Sequence, residues 1–335
     1  MDNKTIESQL SANAKALEWG HVYLRGQELT DFRNKLISNR IKLKRLLYAN
    51  GVNPAAAIFG ESQVGKSYMV DCLLTSETEV LNIYDGHGKA TGFLESINPL
   101  GGGKEATSLI TRFTTRKVWQ DPEYPVKATI LAPIDVVIVL LDAYYNDVIN
   151  HDFPKSADIK AEIGRLKSKF QTGGTKQSIL TEDEIFELRE YLHSGLVSRG
   201  EAFREALFEN HYFEELALLI SRIDVGQWAD VFEFLWNKNT ILTDVFLKLM
   251  ATLKKMDFCR NVFIKMDAVL RKPGTILHVD RLYELFGISE VEDDKGNRSK
   301  IEKAAEPLME VQTEKGSRLT GISKSEFCAL AMELA

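Results

Sequence analysis

The stretch Gly60-Glu61-Ser62-Gln63-Val64-Gly65-Lys66-Ser67 has the form GxxxxGK[ST], and its reading decides the fold. Two glycines at this spacing let the backbone curl so that its N–H groups converge on phosphate oxygens. Lys66 would reach the β and γ oxygens, and Ser67 would place a hydroxyl on Mg²⁺. A helix opening there would add its positive dipole end. An apolar run, Ala55 to Phe59, leads into the loop, and a helix is predicted from Ser67 to about Leu74. Gly60, Glu61, Ser62, Gln63, Val64, Gly65, Lys66 and Ser67 are therefore the expected phosphate cradle. The ligand expected there is a nucleoside triphosphate with Mg²⁺. Ala55, Ala56 and Ala57 are poor strand formers, which is the weak point of the local pattern.

Upstream, residues 4–49 read as helix. Ile6, Leu10, Leu17 and Leu24, then Phe32, Leu36, Leu43 and Leu47, recur at helical spacing among charges. Gly26 is expected to divide this into two helices, and Asn50-Gly51 with Pro54 to end the second. Downstream, Val80 to Tyr84 is strand-like and is followed by a glycine-rich region ending Gly101-Gly102-Gly103-Lys104. Leu109 to Val118 and Val126 to Leu131 are β-rich, separated by Asp121-Pro122, and predict an antiparallel pair. From about 156 to 256 the pattern is helical. Thr181-x-x-Glu184 has the form of a capping box, and Trp228 to Trp236 belongs to another helix. The last 75 residues are mixed, with a hairpin expected over Val311 to Leu319 and an amphipathic helix over Ser325 to Leu334.

A second motif, Gly103-Lys104-Glu105-Ala106-Thr107-Ser108-Leu109-Ile110-Thr111-Arg112-Phe113, resembles switch I of dynamin-like large GTPases. By that resemblance Thr111 is the switch threonine, a catalytic and Mg²⁺-contacting residue in the triphosphate state. More widely, the chain resembles the SrfC-type family of bacterial virulence factors. Four stretches carry the likeness: Ile58 to Tyr68, Asn98 to Phe113, Asp135 to Asp147 and Trp228 to Trp236. The resemblance implies an α/β P-loop NTPase core, partial or split, with a large all-helical insertion and an N-terminal helical segment. The expected divisions are a helical segment at 1–50, and the P-loop and switch I part of a G domain at 51–150. A helical insertion at 151–260 and a mixed α/β segment at 261–335 follow. In such proteins a nucleotide-dependent homodimer is common, and the insertion offers a surface to a protein partner. Dynamin-like loops commonly carry Gln then Ser at the third and fourth positions, where this chain has Ser62 and Gln63. That reversal, with the gaps below, implies weak or no hydrolysis.

A GTPase also needs an Asp at the end of a buried strand, usually with Gly three residues on, and an Asn/Thr-Lys-x-Asp segment to read guanine. Asp142 ends the apolar run Val136 to Leu141 and could be that Asp, which would make the chain an ATP-handling protein. Against this, Pro133-Ile134-Asp135 is a plausible helix start, and Tyr144, Tyr145 and Val148 continue at helical spacing. Asp85-Gly86-His87-Gly88 precedes the switch candidate and reads as a polar turn. Lys265-Met266-Asp267 has Ile264 where Asn or Thr should stand, and Asn237-Lys238-Asn239-Thr240 lacks the Asp. In the resembled family the Asp-x-Pro-Gly motif comes later, so the sequence is expected to be the amino-terminal portion of a longer protein. A helical interaction module with a vestigial P-loop is the rival reading.

Composition narrows the partners. At 335 residues, 44% hydrophobic and 27% charged, the chain can bury sizeable cores. A net charge of −6 provides no global basic field for nucleic acid. Cys72, Cys259 and Cys328 are far apart and form no metal-ligand pattern, which fits a reducing, cytoplasmic setting. The amino terminus does not have the pattern of a signal peptide, and the longest apolar run is too short to span a bilayer. The six histidines show no ligand spacing, and the acidic run Glu290 to Asn297 lacks that of an EF-hand.

Overall fold

The structure is a computed structural model that describes residues 2–53, 55–58, 65–76, 79–97, 109–147, 153–170, 178–194, 200–270, 276–277, 279–292, 296, 298–301 and 308–335. The chain opens with α1 (Asn3–Tyr23), α2 (Gly26–Gly51) and α3 (Lys66–Leu74). Next come β1 (Asn82–Tyr84), β2 (Ala90–Gly92), a π-helical turn (Phe93–Ile97), β3 (Ile110–Thr111) and β4 (Val126–Ile130). A helical stretch follows: α4 (Pro133–Asp147), α5 (Ser156–Phe170), α6 (Glu182–His193), α7 (Glu201–Glu209), α8 (Tyr212–Leu219), α9 (Trp228–Phe232) and α10 (Thr240–Lys255). The chain closes with β5 (Asn261–Ile264), α11 (Asp280–Leu285), β6 (Glu290–Glu292), β7 (Arg298–Lys300), β8 (Leu308–Thr313), β9 (Arg318–Ser323), α12 (Lys324–Leu330) and β10 (Ala331–Leu334).

Contacts divide the chain into two discontinuous units, 1–56 with 137–239, and 57–136 with 240–335. The N-terminal helices thus group with the helical stretch, and α10 groups with the sheet.

In the helical unit, α1 and α2 form a hairpin whose seam on α1 repeats every seven residues at the buried Ile6, Asn13 and Gly20. Asn13 offsets part of the cost of its burial by donating from Nδ2 to the Leu36 carbonyl at 2.8 Å. The hairpin meets α6 through charge: Arg33 pairs with Glu182, while Arg40 and Lys44 both reach Asp183. The predicted capping box opens α6, the Thr181 N–H donating to Glu184 Oε2 at 2.7 Å.

In the other unit a six-stranded sheet has the order β3-β10-β4-β5-β8-β9. β10 runs parallel to β3, and the remaining neighbours are antiparallel. The sheet buries Ala128, Ile130, Val262, Ile264, Val311 and Ile322, and α10 and α12 pack on β9. The hairpin expected around Lys315-Gly316 is β8–β9.

Two expectations about this sheet are corrected. The stretches 109–118 and 126–131 are not paired with each other, because β3 covers only two residues and β10 lies between it and β4. Ser325 to Leu334 is not one helix either. α12 stops at Leu330, and Leu334 is in register with Thr111 on one side and Ala128 on the other. Ala, Met, Glu and Leu all favour helix locally, but hydrogen bonding to two neighbouring strands overrides that preference. Residues 55–58, before the P-loop, carry no strand.

Candidate functional site

Gly65 is the N-cap of α3 at φ 87° and ψ 18°, a left-handed conformation that glycine adopts without the Cβ penalty. Its carbonyl accepts the first helical hydrogen bond, from the Met69 N–H at 2.9 Å. Lys66 and Ser67 are consequently the first two helical residues, where backbone N–H groups lack intrahelical acceptors and the helix dipole is positive. This is the geometry expected where GK[ST] opens onto phosphate. Gly60, Glu61, Ser62, Gln63 and Val64 lie outside the described residues.

The remainder of α3 is thinly covered. Tyr68, Met69, Leu73 and Leu74 are all more than half exposed. Two contacts anchor the helix: Asp71 Oδ1 accepts from the Leu81 N–H at 3.2 Å, and α3 packs on the π-turn. The π-turn buries Phe93 and Ile97, and the Phe93 ring meets Phe113 edge to face at 4.8 Å.

Thr111 lies on the edge strand β3 and is exposed. It is held from β10, where the Arg112 N–H donates to the Leu334 carbonyl at 2.7 Å and the Arg112 guanidinium pairs with Glu333 at 3.1 Å. Ser67 and Thr111 are therefore carried by different elements, a helix start and a sheet edge. Both offer hydroxyl oxygens, the hard donors that Mg²⁺ takes alongside phosphate and water. Among the described residues no group of three or more His, Cys, Asp or Glu is placed to hold a metal. Gly101, Gly102 and Gly103 lie outside the described residues.

The reading of Asp142 as the Asp that ends a buried strand is corrected. Val136 to Leu141 is the body of α4, opened by Pro133 and by Asp135, whose Oδ2 accepts from the Ala132 N–H at 2.7 Å. Asp142 sits within that helix and accepts from the Tyr191 hydroxyl and from Asn146 Nδ2. Asp85 ties its own turn, accepting from the N–H groups of His87 and Lys89, each at 2.9 Å. Asn237 and Lys238 form a left-handed turn before α10.

Lys265 directly follows β5 and pairs with Glu310 at 3.1 Å. It belongs to a cluster around the buried Tyr124 that no motif announces. The Tyr124 hydroxyl donates to Glu310, and the cations of Lys265 and Arg318 lie 5.5 and 5.2 Å from its ring centroid. Asp121 accepts from Arg318 and Gln312, each at 3.0 Å.

Burial, then the bond to Glu310, pushes the Tyr124 hydroxyl up to about 12. The Glu123 N–H, and then Arg318 and Gln312, hold the Asp121 carboxyl below its ordinary value; the Tyr124 hydroxyl and Lys265 do the same for Glu310. The carboxylates thus stabilise the fold above the ordinary carboxylate range, and that contribution is lost as pH falls through their lowered values. Tyr124 contributes below pH ~10, and its share is lost as pH rises toward about 12. Thermal midpoints should therefore plateau near neutrality and fall at both extremes, with a weaker acid dependence in Glu310→Gln. An acid limb identical in that variant would show that Glu310 does not contribute.

No helix among the described residues is long and apolar enough to cross a membrane, and Cys72, Cys259 and Cys328 form no disulfide with one another. Comparison with curated proteins and with solved structures found no match. A protein-family model described as "Putative bacterial virulence factor" matches residues 21–335. With that match covering nearly the whole sequence, the chain belongs to the putative bacterial virulence factor family.

Proposed function

We propose that this chain is a dynamin-like, SrfC-type member of its family that binds a nucleoside triphosphate, GTP by preference, with Mg²⁺. The observation that carries the reading is the start of α3, where a left-handed Gly65 hands over to Lys66 and Ser67 at the positive end of the helix. In this reading an α/β P-loop core forms around residues 60–67. Lys66 neutralises the β and γ oxygens, Ser67 holds Mg²⁺, and Thr111 senses the γ-phosphate. Mg²⁺ supplies charge neutralisation between the phosphates.

Hydrolysis by these residues alone is slow or nil. Asp142 is engaged on a helix, Asp85 in its own turn and Lys265 with Glu310. The order Ser62-Gln63 departs from the dynamin-like loop in the same direction.

A helical interaction module with an idle P-loop is the second reading, favoured by the absence of a strand at 55–58 and by the exposed side chains of α3. Titration with GTP and with ATP, each with Mg²⁺, tests the proposal. Saturable binding that favours GTP, phosphate release near background, and a doubled molar mass with a non-hydrolysable GTP analogue are expected. Equal binding of ATP would contradict the guanine preference, and a stable protein partner with no nucleotide effect would establish the module.

A further inference from the structure

We propose that Asp71, Phe93 and Phe113 form a latch that makes the P-loop helix and Thr111 respond to the γ-phosphate together. The inference rests on the nucleotide-binding reading and names its internal regulation. The path is continuous. Asp71, on the second turn of α3, accepts from the Leu81 N–H at 3.2 Å, and the Leu81 carbonyl accepts from the Phe93 N–H at 2.8 Å. Phe93 is 4% exposed and meets Phe113, whose ring stands almost perpendicular to it at 88°. Phe113 is two residues beyond Thr111 on the same strand exit.

The element in the middle is a π-helical turn, Phe93–Ile97, and α3 packs directly on it. Such turns are rare and recur at functional positions. Phe93 and Ile97 are buried in this turn, so side-chain packing holds it alongside the backbone bond from the Phe93 N–H to the Leu81 carbonyl. A pull on Thr111 from the γ-phosphate is transmitted through Phe113 to the turn, and through Asp71 to the helix that carries Lys66 and Ser67. Phe93 and Asp71 are positioning residues; neither needs to touch nucleotide.

The test measures the affinities of the chain for a non-hydrolysable triphosphate and for the matching diphosphate, with Mg²⁺. The wild type is expected to prefer the triphosphate. Phe93→Ala and Asp71→Ala should each reduce that preference about tenfold, near 1.4 kcal/mol of coupling. Diphosphate affinity should be unchanged, and the double variant should lose no more than either single one. Phe93→Tyr and Asp71→Asn, which keep the ring and the acceptor, should retain the preference. Asp71 is only half-buried on α3, so it reports the coupling even where Phe93→Ala lowers the thermal midpoint.

If the wild type binds neither nucleotide, the binding reading fails and this one with it. If it binds both equally, or the variants weaken both nucleotides in proportion, the latch is overturned while binding stands.

Discussion

Gly86→Ala is expected to destabilise the sheet-bearing unit by about 3 kcal/mol, through overpacking that no rotamer can relieve. A Cβ at Gly86 would stand 2.0 Å from the Pro122 carbonyl oxygen and 2.5 Å from its Cα. Both are backbone atoms, and the loop they belong to is fixed at its far end by Tyr124 and Asp121 against β8 and β9. The turn between β1 and β2 must therefore lift off, and His87 must give up its 3.2 Å contact with Glu123. Urea unfolding reads the loss directly. A change under about 0.5 kcal/mol, the range of an ordinary surface substitution, would mean that the turn is not docked on this loop.

Phe203→Ala is expected to cost about 3–5 kcal/mol in the helical unit, the usual range for emptying a buried aromatic site. Phe203 is 3% exposed at the centre of an aromatic cluster. It stacks on Phe153 at 5.8 Å and on Tyr145 at 6.5 Å, and meets Phe234 edge to face at 6.1 Å. Gly200, left-handed at φ +70°, caps α7 so closely that a Cβ there would come within 2.8 Å of both Tyr145 and Phe153. The neighbours are rigid rings joined to helices, so collapse into the vacated space is restricted. Phe203→Leu should lose much less, because it refills most of the volume. Equal losses for Leu and Ala would point to the ring stacking itself rather than to the cavity.

Features set by local chemistry were legible in the sequence. The helical spacing of Ile6 through Leu47, the Thr181–Glu184 box and the turn at Lys315-Gly316 each appear where they were expected, because each is stabilised within its own few residues. What was not legible depended on distant partners. Ala331–Leu334 becomes a strand only because β3 and β4 flank it, and β3 is short because β10 supports just two of its residues. Val136 to Leu141 has the composition of a strand, and the deciding signal was the Pro133–Asp135 start. At the candidate site, the helix that opens after Gly65 was legible from the motif. Asp71 and the π-turn were not, since Asp71 bonds a residue ten positions away and a π-turn has no periodic signature.

Nucleotide binding by this chain stands or falls on whether the start of α3 holds phosphate. Calorimetric titration of Mg²⁺–GTP into the wild type and into Lys66→Ala decides it. Unfolding midpoints measured alongside exclude misfolding, since Lys66 is half-buried on a helix with no buried side chain. Saturable heat is expected in the wild type, diminished without Mg²⁺ and lost in Lys66→Ala, with the two midpoints equal when no nucleotide is present. Heat that survives in Lys66→Ala, or a wild type that gives none, would refute phosphate binding at this helix.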